Sequence, residues 1–201
     1  MREITINDVK YEIGLSFYRT HGSMNQQYYE AFDVALNKDD PSLFTGRVFH
    51  LVKRVLDGKS YFIKEYLIDK HMATEEYNVS KLFSDNNNVM DIFEIDDGKL
   101  LCEYVPGVQL SKLGTVPIKH LKLAVVELIA FVEMFKEKGL SHLIELNLNN
   151  TLLQFNEKEQ RYKFKIIDLE TNILRYNEFT VKNNEFLKTL NRTLDEMRKK
   201  I

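Results

Sequence analysis

Two Asp-Gly pairs constrain this chain more than any other feature, because each stands between runs that alternate as β-strands do. Val48 to Val55 and Ser60 to Tyr66 flank Asp57-Gly58, while Asp91 to Ile95 and Lys99 to Tyr104 flank Asp97-Gly98. A tight hairpin turn demands positive φ, which glycine adopts without a side-chain clash. Two antiparallel hairpins are therefore expected in the first half of the chain. Between them, Thr74 to Phe83 reads as a helix capped by Thr74, with Val79, Leu82 and Phe83 turned inward.

The period then changes. Glu103-Tyr104-Val105-Pro106-Gly107 reads as a strand end running into a turn, and so as a boundary between lobes. Pro117 to Lys138 places Leu121, Val125, Leu128, Val132 and Phe135 on one helical face, and Gly139 ends that helix. A further hairpin is expected where Leu152-Leu153 and Phe164, Ile166 and Ile167 form apolar runs. Asn150 precedes it and Asp168 closes it. From Asn184 onward, Leu187, Leu190, Leu194, Met197 and Ile201 recur at helical spacing and are expected to pack a core. The chain is thus α+β, with strands over residues 1–104 and a mainly helical remainder over 105–201.

Charge and cysteine use exclude several partners and compartments. The 28 basic residues are scattered among 30 acidic ones, so no basic face for nucleic acid is expected. A single cysteine, Cys102, excludes an internal disulfide and a cysteine metal cluster, and it reads as a small core hydrophobe. The charged start lacks the apolar stretch of a signal peptide. The longest apolar run, Leu123 to Val132, is interrupted by Glu127. A cytoplasmic protein is expected.

The order of elements resembles a two-lobed protein-kinase-like fold with a reduced C-terminal lobe, and the residue types fall where phosphoryl transfer needs them. Lys64, in Tyr61-Phe62-Ile63-Lys64, would pair ATP phosphates, with Glu75 or Glu76 on the next helix holding it. Gly46 is the one glycine kept from a glycine-rich phosphate loop over Pro41 to Phe49. The connector residues Glu103 and Val105 would border the adenine. Glu145-Leu146-Asn147-Leu148-Asn149-Asn150-Thr151-Leu152-Leu153 has the form of a kinase catalytic loop with glutamate leading it. Asp168-Leu169-Glu170 takes the place of the metal-binding triplet. Glu145, Lys64 and Asp168 are the expected catalytic set, and Asn150 with Asp168 the ligands of Mg²⁺, a hard ion suited to oxygen. His142 is read as a packing or surface residue.

Four further segments stand in order along the chain: Gly14-Leu15-Ser16-Phe17-Tyr18, Tyr29-Glu30-Ala31-Phe32-Asp33, Glu103 to Leu110, and Lys165-Ile166-Ile167-Asp168-Leu169. On these the chain resembles, within that superfamily, the bacterial lipopolysaccharide core heptose(II) kinases. It implies transfer of the ATP γ-phosphate, with Mg²⁺, to a heptose hydroxyl of the lipopolysaccharide core oligosaccharide. The work would be done in the cytoplasm, in peripheral contact with the inner membrane. The departures are Glu145 and Asn149, where family members carry an aspartate and a glycine. The extra methylene of Glu145 moves its carboxylate by about 1 to 1.5 Å unless the backbone compensates, and a misplacement of about 1 Å can cost roughly 10²-fold in rate. Two other readings follow: a pseudokinase that acts through a partner protein, and a minimal bacterial effector protein kinase. Only 33 residues follow Asp168, which leaves the last little room for a peptide platform.

Overall fold

The computed structural model describes residues 2–20, 23–27, 44–110, 118–143, 145–169 and 176–199. Two compact units emerge: Met1–Lys81 with Asp91–Tyr104, and Leu82–Met90 with Val105–Ile201.

The first unit is built on an antiparallel sheet of strands β1 (Glu3–Ile6), β2 (Val9–Thr20), β3 (Ser23–Gln27), β4 (Phe44–Arg54), β5 (Ser60–Tyr66), β6 (Ile92–Asp96) and β7 (Lys99–Glu103). Its order is β1-β2-β4-β5-β7-β6, with β3 also paired to β2. The β6–β7 turn is the expected tight one, with φ of 42° at Asp97 and 82° at Gly98. Alanine at Gly98 would also set its Cβ 2.9 Å from the Tyr66 carbonyl oxygen. The other Asp-Gly pair sits in a wider loop between Arg54 and Ser60. There the Gly58 amide donates to the Arg54 carbonyl at 2.8 Å, and the Asp57 carboxylate accepts from the Lys59 amide. A further hairpin, between β1 and β2, turns at Asn7 and Asp8, both with positive φ.

Alternation along these strands gives the sheet two distinct faces. One carries Ile6, Tyr11, Ile13, Val52, Tyr61, Ile63 and Leu101 as a single apolar cluster, in which Tyr11 meets Tyr61 edge-on at 5.7 Å. Ser16 and His50, both buried, lie on that face too: the Ser16 hydroxyl is 2.8 Å from His50 Nδ1, and His50 Nε2 is 3.2 Å from Glu65. An ionised Glu65 can only accept, so His50 donates to it from Nε2. The other face carries Phe49, stacked on Phe62, together with Lys64 and Tyr66.

Helix α1 (His71–Lys81) begins three residues before Thr74, and Thr74 is exposed. Its buried residues are Ala73, Glu76 and Ser80, whereas Leu82 is exposed beyond its end. The expected Val79, Leu82, Phe83 stripe fails because the position that the helix must bury is a charged one. Phe83 is buried instead in the second unit, stacked on Phe135 at 5.6 Å.

The second unit holds helix α2 (Ile118–Glu137), a three-stranded sheet of β8 (Val108–Gln109), β9 (Thr151–Asn156) and β10 (Arg161–Ile166), and helix α3 (Tyr176–Lys199). Leu121, Val125, Leu128, Val132 and Phe135 are all buried, as their spacing requires. Gly139, with φ of 70°, closes α2 through two bonds: its own amide to Lys136 and the Leu140 amide to Phe135. This pairing satisfies the last carbonyls of the helix. Gly107 serves a different need from the turn freedom expected of it. A Cβ there would lie 2.8 Å from the Leu153 carbonyl oxygen, so only glycine lets β8 approach β9. Helix α3 starts eight residues before Asn184, and its buried stripe is Phe179, Asn183, Phe186, Leu190 and Leu194. Ile201 lies outside the described residues, as do Tyr29 to Asp33. Among the described residues no helix is long and apolar enough to cross a membrane.

Candidate active site

In the first unit, β5 presents Lys64 on the face against which α1 packs Glu76. Both side chains are withdrawn from water, and Lys64 Nζ lies 2.7 Å from Glu76 Oε2. The Tyr66 hydroxyl donates to the same carboxylate oxygen at 2.6 Å. The Tyr66 ring lies 5.2 Å below the ammonium and the Phe49 ring 6.0 Å from it. Burying two ions is costly unless each is paired and hydrogen-bonded, and here the ion pair, the hydroxyl and the ring faces provide that. The sequence leaves Glu75 and Glu76 open. Glu76 is the partner of Lys64, and Glu75, about 100° further round the helix, is only half-buried.

A recess of about 460 Å³ opens in this unit between Gly14, Leu51, Lys53, Ser60 and Tyr104. Leu51 and Lys53 follow Phe49 at every second position of β4, so they share the Lys64 face of the sheet. Gly46 lies inside β4 rather than in a loop, and Pro41 to Leu43 lie outside the described residues. Cys102 is fully buried on β7, its thiol 3.6 Å from the Leu100 carbonyl. Glu103 ends β7, and its amide donates to the Asp91 carbonyl. Val105 is half-buried at the start of the second unit's main segment.

In the second unit, the β9–β10 ladder runs from Asn156 with Arg161 to Thr151 with Ile166. One more bond extends it, from the Ile167 amide to the Asn150 carbonyl at 3.0 Å. Asn150 therefore faces Ile167, and Asp168 is the next residue along. Asn150 and Asp168 thus lie at the same open end of one hairpin. Asp168 is half-buried, and Leu169 beside it is fully buried, which pins the chain at that point; Glu170 lies outside the described residues.

The loop before β9 is closed on itself. Asn147 Oδ1 accepts from the amides of Asn149 and Asn150 at 2.8 and 2.9 Å, and Thr151 Oγ1 donates to the Asn147 carbonyl at 2.8 Å. Asn150 Nδ2 reaches the Glu145 carbonyl at 3.4 Å. Each Glu145 carboxylate oxygen has a donor: Asn147 Nδ2 at 3.2 Å on one and Lys182 Nζ at 3.1 Å on the other. His142, half-buried, lies between Asn183's partner Ser141 and this loop in the chain.

Two residues at this loop escape sequence reasoning. Asn183 is buried on α3, where its oxygen accepts from the Leu146 amide at 2.7 Å and its nitrogen donates to the Ser141 carbonyl at 2.9 Å. Lys182, its neighbour, is shared between Glu145 and Glu178, the latter at 2.7 Å. The available signal was a polar residue inside the apolar stripe between Phe179 and Phe186. Among the described residues no cluster of three or more His, Cys, Asp or Glu side chains could hold a metal ion.

No protein-family model and no curated protein matches the chain. Among solved structures it is similar to the Rio2 kinase-ADP/Mg²⁺-phosphoaspartate complex from Chaetomium thermophilum, with a TM-score of 0.54 and 12% identity over 83% of this chain. The chain spans 61% of the length of that one. At this identity the likeness is one of fold, and the chain accordingly has a mixed α+β, kinase-like fold with a small C-terminal lobe.

Proposed function

We propose that the protein is an ATP-dependent phosphotransferase whose acceptor is a heptose hydroxyl of the lipopolysaccharide core. The observation that carries the phosphotransferase part is the buried Lys64–Glu76 pair, held by a strand and the helix after it in a kinase-like fold. A buried ammonium oriented by a carboxylate is suited to phosphate oxygens, and Glu76 keeps it aimed in their absence. The acceptor is taken from the heptose kinase resemblance.

In this reading Lys64 binds the phosphates and the recess by Gly14, Leu51 and Tyr104 takes the base; Glu103 and Val105 are the residues that the kinase resemblance gives to the adenine. Glu145 orients the acceptor hydroxyl and receives its proton as the phosphoryl group leaves ATP. Asn150 and Asp168 fit Mg²⁺, which binds oxygen donors and keeps several waters. When bound, the ion supplies charge neutralisation of the phosphates. Likeness in fold to a structure solved with ADP and Mg²⁺ supports these cofactors.

One observation favours a second reading. Both Glu145 oxygens already have donors, as they would in a kinase-like binding protein that acts through a partner and has given up transfer. Transfer of labelled γ-phosphate from Mg·ATP to purified core oligosaccharide decides between them. We expect transfer that Glu145→Gln abolishes, and calorimetry in which Asp168→Ala loses Mg·ATP affinity. Nucleotide binding with no transfer by the wild type would establish the binding-protein reading. Equal affinity in wild type and Asp168→Ala would remove Asp168 from the site.

A further inference from the structure

We infer that Lys182 is a positioning residue for the base, the group that makes a glutamate serviceable where the catalytic loop calls for a shorter carboxylate. The inference rests on the phosphotransferase reading and deepens it. A glutamate has one more rotatable bond than an aspartate, so its carboxylate must be held to be productive. Here it is held at both ends: Asn147 from within the loop on Oε1, and Lys182 from α3 on Oε2.

Three observations point to α3 as the source of that support. Asn183 fixes the helix to the loop backbone at Leu146 and Ser141, so the adjacent Lys182 is delivered to Glu145 by a buried anchor. Glu178, one turn earlier, holds the same ammonium at 2.7 Å. Glu178 first and Glu145 second raise the Lys182 ammonium above the ordinary lysine range, so it is charged throughout the working pH range. Lys182 and Glu145 are also both partly exposed, and such a pair adds little to stability. Its value lies in orientation.

The test is a double-mutant cycle on kcat and KM for ATP, using labelled Mg·ATP with and without core oligosaccharide. Lys182→Met should lower kcat by about 10- to 10²-fold with KM for ATP little changed, because the nucleotide contacts are made elsewhere. Lys182→Arg, which keeps the charge and the reach, should restore most of it. In a Glu145→Asp background, whose arm is one methylene shorter than the one Lys182 holds at 3.1 Å, Lys182→Met should have little further effect, so the two substitutions are expected to be strongly non-additive. Asn183→Ala serves as the structural comparison: it should lower the thermal midpoint, whereas Lys182→Met should not. Additive effects, or an Arg variant no better than Met, would overturn the positioning role while leaving phosphotransfer standing. No ATP turnover by the wild type in either condition would overturn both.

Discussion

Lys64 and Glu76 form the pair with the most to lose. Removing one partner leaves the other charge buried without compensation, which costs about 3–5 kcal/mol. Lys64→Met should therefore destabilise the protein strongly, because it strips the buried Glu76 carboxylate of its cation at 2.7 Å. Replacing both with apolar residues, as in Lys64→Met with Glu76→Leu, should recover much of that loss, since the desolvation cost goes with the charges. Denaturant midpoints of the single and double variants check this. A double variant no more stable than Lys64→Met would mean that the cost lies in packing against Phe49 and Tyr66. Function separates from stability here, because the recovered double variant should still fail to bind Mg·ATP.

At the scale of elements, legibility follows the kind of signal. Asp97-Gly98 was readable because its turn chemistry is local, and α2 because five apolar residues share one face and a glycine closes it. The β1–β2 hairpin went unread because Asn7 and Asp8 supply the positive φ that glycine usually provides. The start of α1 at His71 is not legible in the sequence, because its buried face is Ala73, Glu76 and Ser80, which no apolar period reveals. The candidate site divides in the same way. That Asn150 and Asp168 lie at one end of the β9–β10 hairpin is legible from the two apolar strands beside them. Lys182 and Asn183 could not, since their partners lie 37 and 42 residues away. Asn183 is the element-scale prediction. Asn183→Ala strands the buried Leu146 amide and the Ser141 carbonyl, and each unsatisfied group costs about 1–3 kcal/mol. A loss of roughly 2–4 kcal/mol is expected, together with faster hydrogen exchange at Leu146. Unchanged exchange at that amide would show that another acceptor replaces Asn183.

For the whole molecule, acid is the condition to which both units should respond together. In the first unit Arg54, which bonds the Asp57 carboxylate through Nε at 3.0 Å, lowers that carboxyl to about 2, and Lys70 lowers Asp97. In the second unit Lys163 and Arg161 lower Glu159. Each carboxyl is more acidic in the folded protein than in the unfolded chain, so the unfolded chain binds protons first as pH falls. The stabilisation is complete above the unfolded value, 3.8 for Asp57, and it is lost as pH falls through the folded value near 2. All three groups are exposed, so salt screens their pairs, with a Debye length of about 3 Å at 1 M. Urea midpoints should therefore hold steady above pH 5, fall between about pH 4 and 2, and fall less steeply in 1 M NaCl. If the units unfold separately, Asp57→Asn should flatten only the transition of the first and Glu159→Gln only that of the second. If they unfold as one, either substitution should flatten the single transition in part. A slope between pH 4 and 2 that neither substitution reduces would assign the acid response to other carboxylates.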